Sequence, residues 1–483
     1  MLHIRSMWTS AAGRMKLVFG SFCLVSLVYC GVAYNTISAE KVTVETVGHD
    51  ASESVFLGGQ IKMTAAKAGT AAASAFQTGQ APTEPEPGKA YCDPSRSLAF
   101  IPAQERSFYE SSCQLHELIG RAFENVTYKT DVTLASGHVT NEQTALNQIS
   151  LALTNYNRLI ERAFANRNML NPVDLSYLRA ATEQMTALET AAQDLIDVND
   201  EALSKQFASR QTSSKVHLVA LIGCGVLLLG MLWYLNNYTK KLFRRQINGP
   251  IALAAVGILA MTVYVSYSLM AVDARITSAK NDAYVSEFHT YSTLADALMM
   301  ETHQTMSLLQ SGGDPNAMKR FDRALSRIST GSVEELENLP RVIGQNKLDL
   351  VEPINVKWQG ALAEELRAIT FKGERRAALD AVQGLGAYVR INAKVRQLVQ
   401  DGQQAAAIAL ATGTGPGQGR AAAMQLESSL QTVLDINHTQ FVASVTSARQ
   451  SVRWTYPIAL VMTLICAGLT FGGLRSGLVL LRL

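Results

Sequence analysis

Val216–Leu235 reads VHLVALIGCGVLLLGMLWYL, Asn236–Pro250 reads NNYTKKLFRRQINGP, and Ile251–Val272 reads IALAAVGILAMTVYVSYSLMAV. The two outer runs contain no Asp, Glu, Lys or Arg, whereas the short piece between them holds Lys240, Lys241, Arg244 and Arg245. Each run is long enough to cross about 30 Å of hydrocarbon as a helix rising about 1.5 Å per residue. A backbone in lipid has to satisfy its own hydrogen bonds, which a helix does and a lone strand does not. The stretch therefore reads as two membrane helices joined by a basic turn. Residues 17–34 and 456–474 are free of Asp, Glu, Lys and Arg in the same way, which makes four spans.

The composition agrees: 48% of the 483 residues are hydrophobic, 17% are charged, and the mean hydropathy is +0.08, above the range of an ordinary soluble domain. The net charge of +3 gains meaning when split by compartment. Arg5, Arg14 and Lys16 precede the first span, the four basic residues above lie between spans two and three, and Arg475 and Arg482 follow span four. None of these pieces has an acidic residue, so the positive-inside rule places them in the cytoplasm. The remaining 34 basic and 40 acidic residues leave the two large outer segments mildly acidic, without the basic patch of a nucleic-acid-binding domain. The basic loop has a plain reading as a topology determinant and a functional one as a docking site for a cytoplasmic or anionic-lipid partner.

The resulting map is a cytoplasmic N-terminus at 1–16, span one at 17–34, a first outer segment at 35–215, span two at 216–235 and the cytoplasmic loop 236–250. Span three follows at 251–272, a second outer segment at 273–455, span four at 456–474 and a cytoplasmic tail at 475–483. Both termini are thus expected inside a cell membrane. A basic head before an apolar run also fits a cleaved signal peptide, but bulky Tyr29 before Cys30 spoils the lipobox-like string, and an uncleaved anchor is the favoured reading.

Span, outer segment and span occur twice, a repeat of architecture in which identity between the halves is not evident by eye. Both outer segments show apolar residues three and four apart. Leu146, Ile149, Leu153, Tyr156 and Ile160 form one stripe, Leu178, Ala181, Met185, Leu188, Ala192 and Leu195 a second, and Leu385, Tyr388, Ile391, Val395 and Leu398 a third. Strands have little support. The fold class is an all-α membrane protein with four transmembrane helices and two extracytoplasmic antiparallel helical bundles. Asn171-Pro172 and Asp314-Pro315 mark helix starts. The helices beginning near Ser176 and Gly419 are expected to run directly into spans two and four.

Five prolines between residues 79 and 102 predict an extended loop, with Cys92 and Cys113 as the only cysteine pair in an outer segment. We expect these two to form a disulfide, which by the chain-entropy argument stabilises by roughly 3 kcal/mol for a loop of about 20 residues. Gly413–Arg420 lacks the strand and the Gly-Lys-Ser/Thr of a phosphate loop and reads as a turn. No His-x-x-x-His or Glu-x-x-His spacing occurs, His303 near Glu301 and His438 near Asp435 read as isolated histidines, and no nucleophile elbow is present. The sequence thus implies no cofactor, metal or catalysis of its own. The spans carry no ionisable residue at mid-depth besides Tyr and Cys, which argues against a transporter.

One polar tract stands out, from Tyr156 to Asn168 and from Asn171 to Ala181. Asn166, Arg167, Asn168, Asp174, Tyr177 and Arg179 gather there at a helix–helix turn, as a candidate surface for a ligand or partner or as a capped, solvated turn. Here the chain resembles the four-span actinobacterial membrane proteins of the GlnX type. The similarity lies in Tyr156, Leu159 or Ile160, Glu161, Ala163, Asn166 and Arg167, then Pro172, Val173, Tyr177, Leu178, Arg179 and Ala180, with Ala411–Gly417 and the basic loop in addition. The resemblance implies a signal relay. In that implied relay, an extracytoplasmic solute-binding protein would report amino-acid availability through the membrane protein to a cytoplasmic Ser/Thr protein kinase. The alternative is a scaffolding subunit of an envelope assembly; a homo-oligomer fits either reading.

Overall fold

The computed structural model describes residues 11–46, 48, 51–77, 103–127, 129–166, 172–243, 248–310 and 313–480. Almost all of this is helix: α1 (Ala11–Glu45), α2 (Ala51–Gln77), α3 (Ala103–Glu124), α4 (Glu142–Asn166), α5 (Pro172–Phe243), α6 (Gly249–Ser278), α7 (Val285–Leu308), α8 (Pro315–Ile328), α9 (Val333–Ile343), α10 (Ala361–Arg367), α11 (Glu374–Gln400), α12 (Gln404–Thr412) and α13 (Gly419–Leu480). A π-helical turn, Ala279–Tyr284, joins α6 to α7, and β1 (Val132–Thr133) pairs antiparallel with β2 (Val139–Thr140). That small ladder is the one strand pair among the described residues, and the chain is an all-α membrane protein.

Helix ends follow local chemistry. Asp314 accepts hydrogen bonds from the backbone N–H groups of Asn316 (2.9 Å) and Ala317 (3.4 Å) with Pro315 at the first helical position, so α8 starts where the sequence places it. Ser332 and Glu335 close a reciprocal capping box on α9. Asn171, Arg167, Asn168 and the loop 79–102 with Cys92 lie outside the described residues; Cys113 is half-buried on α3.

Two compact units divide the chain. The first holds residues 1–48, 204–278 and 443–483, and stretches of α1, α5, α6 and α13 in it are long and apolar enough to cross a membrane. Its helices meet through small residues: a Cβ added at Gly225 would lie 2.6 Å from Thr262 Oγ1, and one at Gly257 would lie 2.6 Å from Cys466 Sγ. Such close approach is how helices associate where lipid supplies no hydrophobic drive. Thr463 Oγ1 donates to Met261 Sδ at 3.2 Å, and Asn248 Nδ2 donates to the Gly473 carbonyl at 3.1 Å, which ties α6 to α13.

The second unit holds residues 49–203 and 279–442. Asn125 meets Ser54 near the start of α2, and Phe164 stacks on Phe76 near its end, so α2 and α4 run one way and α3 the other. With the lower-numbered part of α5 they form an up-down four-helix bundle. Residues of α7, α8, α11 and α13 repeat that course: Asp296 pairs with Arg327, Tyr388 with Gln304, and Arg420 with Glu301. The three predicted stripes face inward, with Leu146, Ile149, Leu188, Leu195 and Leu385 at zero exposure and Leu398 packed at the margin.

The bundles are not separated by solvent. The helices α2 and α7 lie side by side and parallel, since Gln60 Nε2 donates to Tyr291 Oη (3.3 Å), Lys62 Nζ reaches Ser292 Oγ (3.0 Å), and Thr70 Oγ1 meets Thr302 Oγ1 (2.9 Å). One apolar core runs through both bundles. Its centre, α7, is buried on nearly every side although its sequence is polar, and burial of polar groups is tolerated only where they find partners. Asp296 finds Arg327, Glu301 finds Arg420, and Gln304 accepts from Tyr388 Oη at 2.7 Å.

Each bundle is also tied by the same buried polar knot. In the first, Glu142 at the start of α4 accepts from Ser54 Oγ (2.8 Å) and Asn199 Nδ2 (3.3 Å) on one oxygen and from the Thr127 N–H (2.8 Å) on the other. In the second, Glu374 at the start of α11 accepts from Ser286 Oγ (3.3 Å), Asn437 Nδ2 (2.8 Å) and the N–H groups of Thr370 and Phe371 (2.8 and 3.0 Å). Thr70 and Thr302, 232 residues apart, meet each other, and the same interval separates Ser54 from Ser286, Glu142 from Glu374 and Tyr156 from Tyr388. A carboxylate at a helix start, held by N–H donors, is favoured there by the helix dipole.

Candidate functional site: a polar pocket between α5, α7 and α8

At the end of the second unit where α7 stops and α5 begins, a pocket of about 340 Å³ opens between the two bundles. The first turns of α5 contribute Arg179, Thr182 and Glu183; α7 contributes His303; the start of α8 contributes Asp314 and Arg320. The end of α7 and the start of α8 meet at it, and Arg179 reaches it from the second turn of α5.

Arg179, singled out from sequence, is exposed on α5 and extends across to the other bundle. Its Nη2 donates to Gln310 Oε1 at 2.5 Å, and its Nε lies 3.6 Å from Asp314 Oδ2. Asp314 at once caps α8 and neutralises Arg179, which holds the guanidinium at the pocket wall. His303 is 5% exposed, and its Nδ1 has no hydrogen-bond partner. Burial, then the positive charges of Arg320, Arg327 and Arg323, push its pKa down to about 3, so the ring is neutral at physiological pH. A neutral imidazole, two guanidiniums and two carboxylates around a space of this volume can accept a small polar solute and have both donors and acceptors to orient it.

The other sequence candidates are dispersed. Asn166 Nδ2 donates to the Arg162 carbonyl at 2.7 Å and closes its own helix, α4. Asp174 lies in the first turn of α5, and Tyr177 is half-buried one turn further on. Arg167 and Asn168 lie outside the described residues. Lys240 and Lys241 occupy the last turn of α5, exposed, and Arg244 and Arg245 lie outside the described residues. The turn Gly413–Gln418 joins α12 to α13, where Gln418 Oε1 accepts the Gly415 N–H at 2.7 Å. Among the described residues no group of three or more His, Cys, Asp and Glu converges as a metal site would.

Sequence reasoning missed His303, read as an isolated histidine, and Arg320, and it missed both polar knots. A signal for the knots was present. Leu188-Glu189, Gln193, Asp197 and Asn199 recur with the same spacing as Leu426-Glu427, Gln431, Asp435 and Asn437. Even the hydrogen bond within the string repeats, Gln193 to Asp197 at 2.8 Å and Gln431 to Asp435 at 2.9 Å.

Fold and pocket together define a membrane protein with a helical unit that carries a solute-sized polar pocket. Residues 43–208 match the family model of the Actinobacterial sensor domain, a match that takes in α2 to α4 and the pocket's Arg179, Thr182 and Glu183. This supports an actinobacterial sensor protein with a role in sensing or signalling. No curated protein and no solved structure matches the chain.

Proposed function

We propose that the protein is a transmembrane relay without catalysis of its own, related to the GlnX type. In this reading the helical unit is extracytoplasmic, both termini are cytoplasmic, and a solute or a solute-binding protein engages the end of the unit that bears the pocket. The observation that carries the reading is α5: it begins at the pocket, holds Arg179 in its second turn, and continues as one 72-residue helix to Lys240 and Lys241. A rigid element with a polar site at one end and a basic loop at the other can convert a small shift at the site into a shift across a membrane. The loop 236–250 then serves as the exit toward a cytoplasmic partner, with a Ser/Thr protein kinase as the expected class. An oxidising location also suits pairing of Cys92 with Cys113.

The test is thermal unfolding of the full-length protein in detergent against amino acids and then against envelope solute-binding proteins. A ligand at 100 times its Kd stabilises by about 2.7 kcal/mol. A shift with an amino acid that Arg179→Ala abolishes makes the protein a direct sensor, and a shift only with a binding protein makes it a relay. No shift with any of them removes the sensing reading and leaves a scaffold of the envelope.

A further inference from the structure

We propose that a groove between α1 and α13 holds the headgroup of an anionic phospholipid. The groove has a volume of about 720 Å³ and lies wholly within the membrane-spanning unit. Lys41, Arg449 and Arg453 line it with the aromatic rings of Tyr34 and Tyr456, whose centroids are 5.2 Å apart in an edge arrangement. The lining is apolar toward its floor, at Ile37, Val44 and Val452.

Depth selects the occupant. Tyr34 closes the apolar span 17–34 carried by α1, and Tyr456 opens the span 456–474 carried by α13. At about 1.5 Å per residue, Arg453 stands roughly 5 Å beyond the apolar stretch, and Lys41 and Arg449 roughly 10 Å beyond it. Those are the depths of the polar headgroup layer that flanks the hydrocarbon core. Tyrosine, tryptophan and snorkelling basic residues collect at this level. Trp454 is 60% exposed beside Arg453, whose guanidinium lies 5.7 Å from the indole. Below the groove, Leu27, Val28, Ile458 and Val461 are exposed apolar side chains on the same two helices, a surface on which acyl chains can lie.

Charge selects the class of lipid. Lys41 has Glu45 at 3.8 Å, but both are solvent-facing, and neither Arg449 nor Arg453 pairs with a carboxylate among the described residues. The groove keeps a net positive charge that a phosphodiester with an uncharged headgroup matches and a zwitterionic headgroup matches less well. Because α1 and α13 are the first and last helices among the described residues, a lipid seated here would clamp these two helices together.

The experiment is native mass spectrometry of the delipidated full-length protein offered equimolar dioleoyl phosphatidylglycerol and dioleoyl phosphatidylcholine. Retention of phosphatidylglycerol is expected to exceed that of phosphatidylcholine. The preference is expected to fall by roughly fivefold for each cation removed in the series Arg453→Gln, Arg449→Gln and Lys41→Gln. The charge-keeping Arg449→Lys/Arg453→Lys protein is expected to retain it, as is Lys240→Gln/Lys241→Gln, which alters the other basic end. Equal retention of the two lipids, or a preference unchanged by Arg453→Gln and by the triple variant, overturns the proposal. Displacement of the lipid by millimolar glycerol phosphate also overturns it, since the site would then bind free phosphate.

Discussion

At Glu365 a second carboxyl enters a knot that in the first bundle is built on Glu142 alone. Its Oε2 accepts from Ser286 Oγ at 2.6 Å and from Thr290 Oγ1 at 3.4 Å, and the same Ser286 Oγ lies 3.3 Å from Glu374 Oε1, which brings the two carboxyls together. Burial, then the charge of Glu374, pushes the Glu365 pKa up to about 8. Two buried carboxyls that close cannot both ionise, so one keeps a proton and donates it to the other. The sign follows: between the ordinary carboxylate range and about pH 8 the folded protein holds a proton that the unfolded chain releases. Stability from this group is fully present below about pH 4.5 and is lost as pH rises through about 8. Buried His303, whose pKa is lowered to about 3, contributes in the opposite sense up to about pH 6.5, so the melting temperature of the full-length protein is expected to fall between pH 6.5 and pH 8.5. Glu365→Gln, which keeps a donor toward Glu374, should match wild type at pH 5 and exceed it by about 2 to 4 °C at pH 8.5. A wild-type melting curve flat over that range, or the same slope in the variant, would show that Glu365 ionises freely. The other residue-scale prediction concerns Cys92 and Cys113: alkylation of unreduced, denatured protein should leave both unlabelled, and prior reduction should add two labels. Labelling of both without reduction excludes the bond.

The helix α5 is where the proposed relay can be broken without touching the pocket. Gln206 is exposed and lies between the polar end of α5 and its apolar stretch. Proline there removes one backbone hydrogen bond and clashes with the preceding turn, at a cost of about 3 kcal/mol. Gln206→Pro should keep the solute-dependent thermal shift and lose the change in partner recovery or kinase activity that solute evokes in wild type. Full output from the variant would mean that the signal leaves by another helix. This element was legible in sequence because its apolar positions keep a 3.6-residue period from Leu178 to Leu195 and then merge into a charge-free run. The stripes of α4 and α11 were legible for the same reason. By contrast α7 was not, because its core positions are Asp296, Glu301, Thr302 and Gln304, which periodicity counts as surface. Their burial depends on Arg327, Arg420, Thr70 and Tyr388, partners contributed by four other helices. The candidate site divides in the same way. Arg179 stands in a polar tract that draws notice locally, whereas His303 and Arg320 join it only because α7 ends and α8 begins beside α5.

At the scale of the molecule, the repeat of span, long intervening segment and span has produced two bundles that share a core. The parallel pair α2 and α7 is the seam, and it is made of groups that would fare badly in water or alone. Ile61, Ala65, Ala68 and Ala72 of α2 and Leu294 and Met300 of α7 have almost no exposure, and Thr70 and Thr302 complete each other's hydrogen bonding. Separating the bundles would expose this apolar strip and leave Asp296 and Glu301 in a half-open helix. Residues 35–215 expressed without the rest should consequently be poorly soluble or lack a cooperative melt, and residues 273–455 likewise. Expressed together, the two are expected to co-purify one to one and regain a single cooperative transition, since the seam needs no chain connection to form. If residues 35–215 alone gave a monomer with a sharp transition, the first bundle would be an autonomous domain and the shared core a docking contact. The distinction bears on signalling. A fused core forces the bundle that carries Arg179 and the one that carries His303 to move as one body, so a solute between them must act by shifting that body as a whole, with the start of α5 as part of it. Two autonomous bundles would instead let the same solute act by drawing them together.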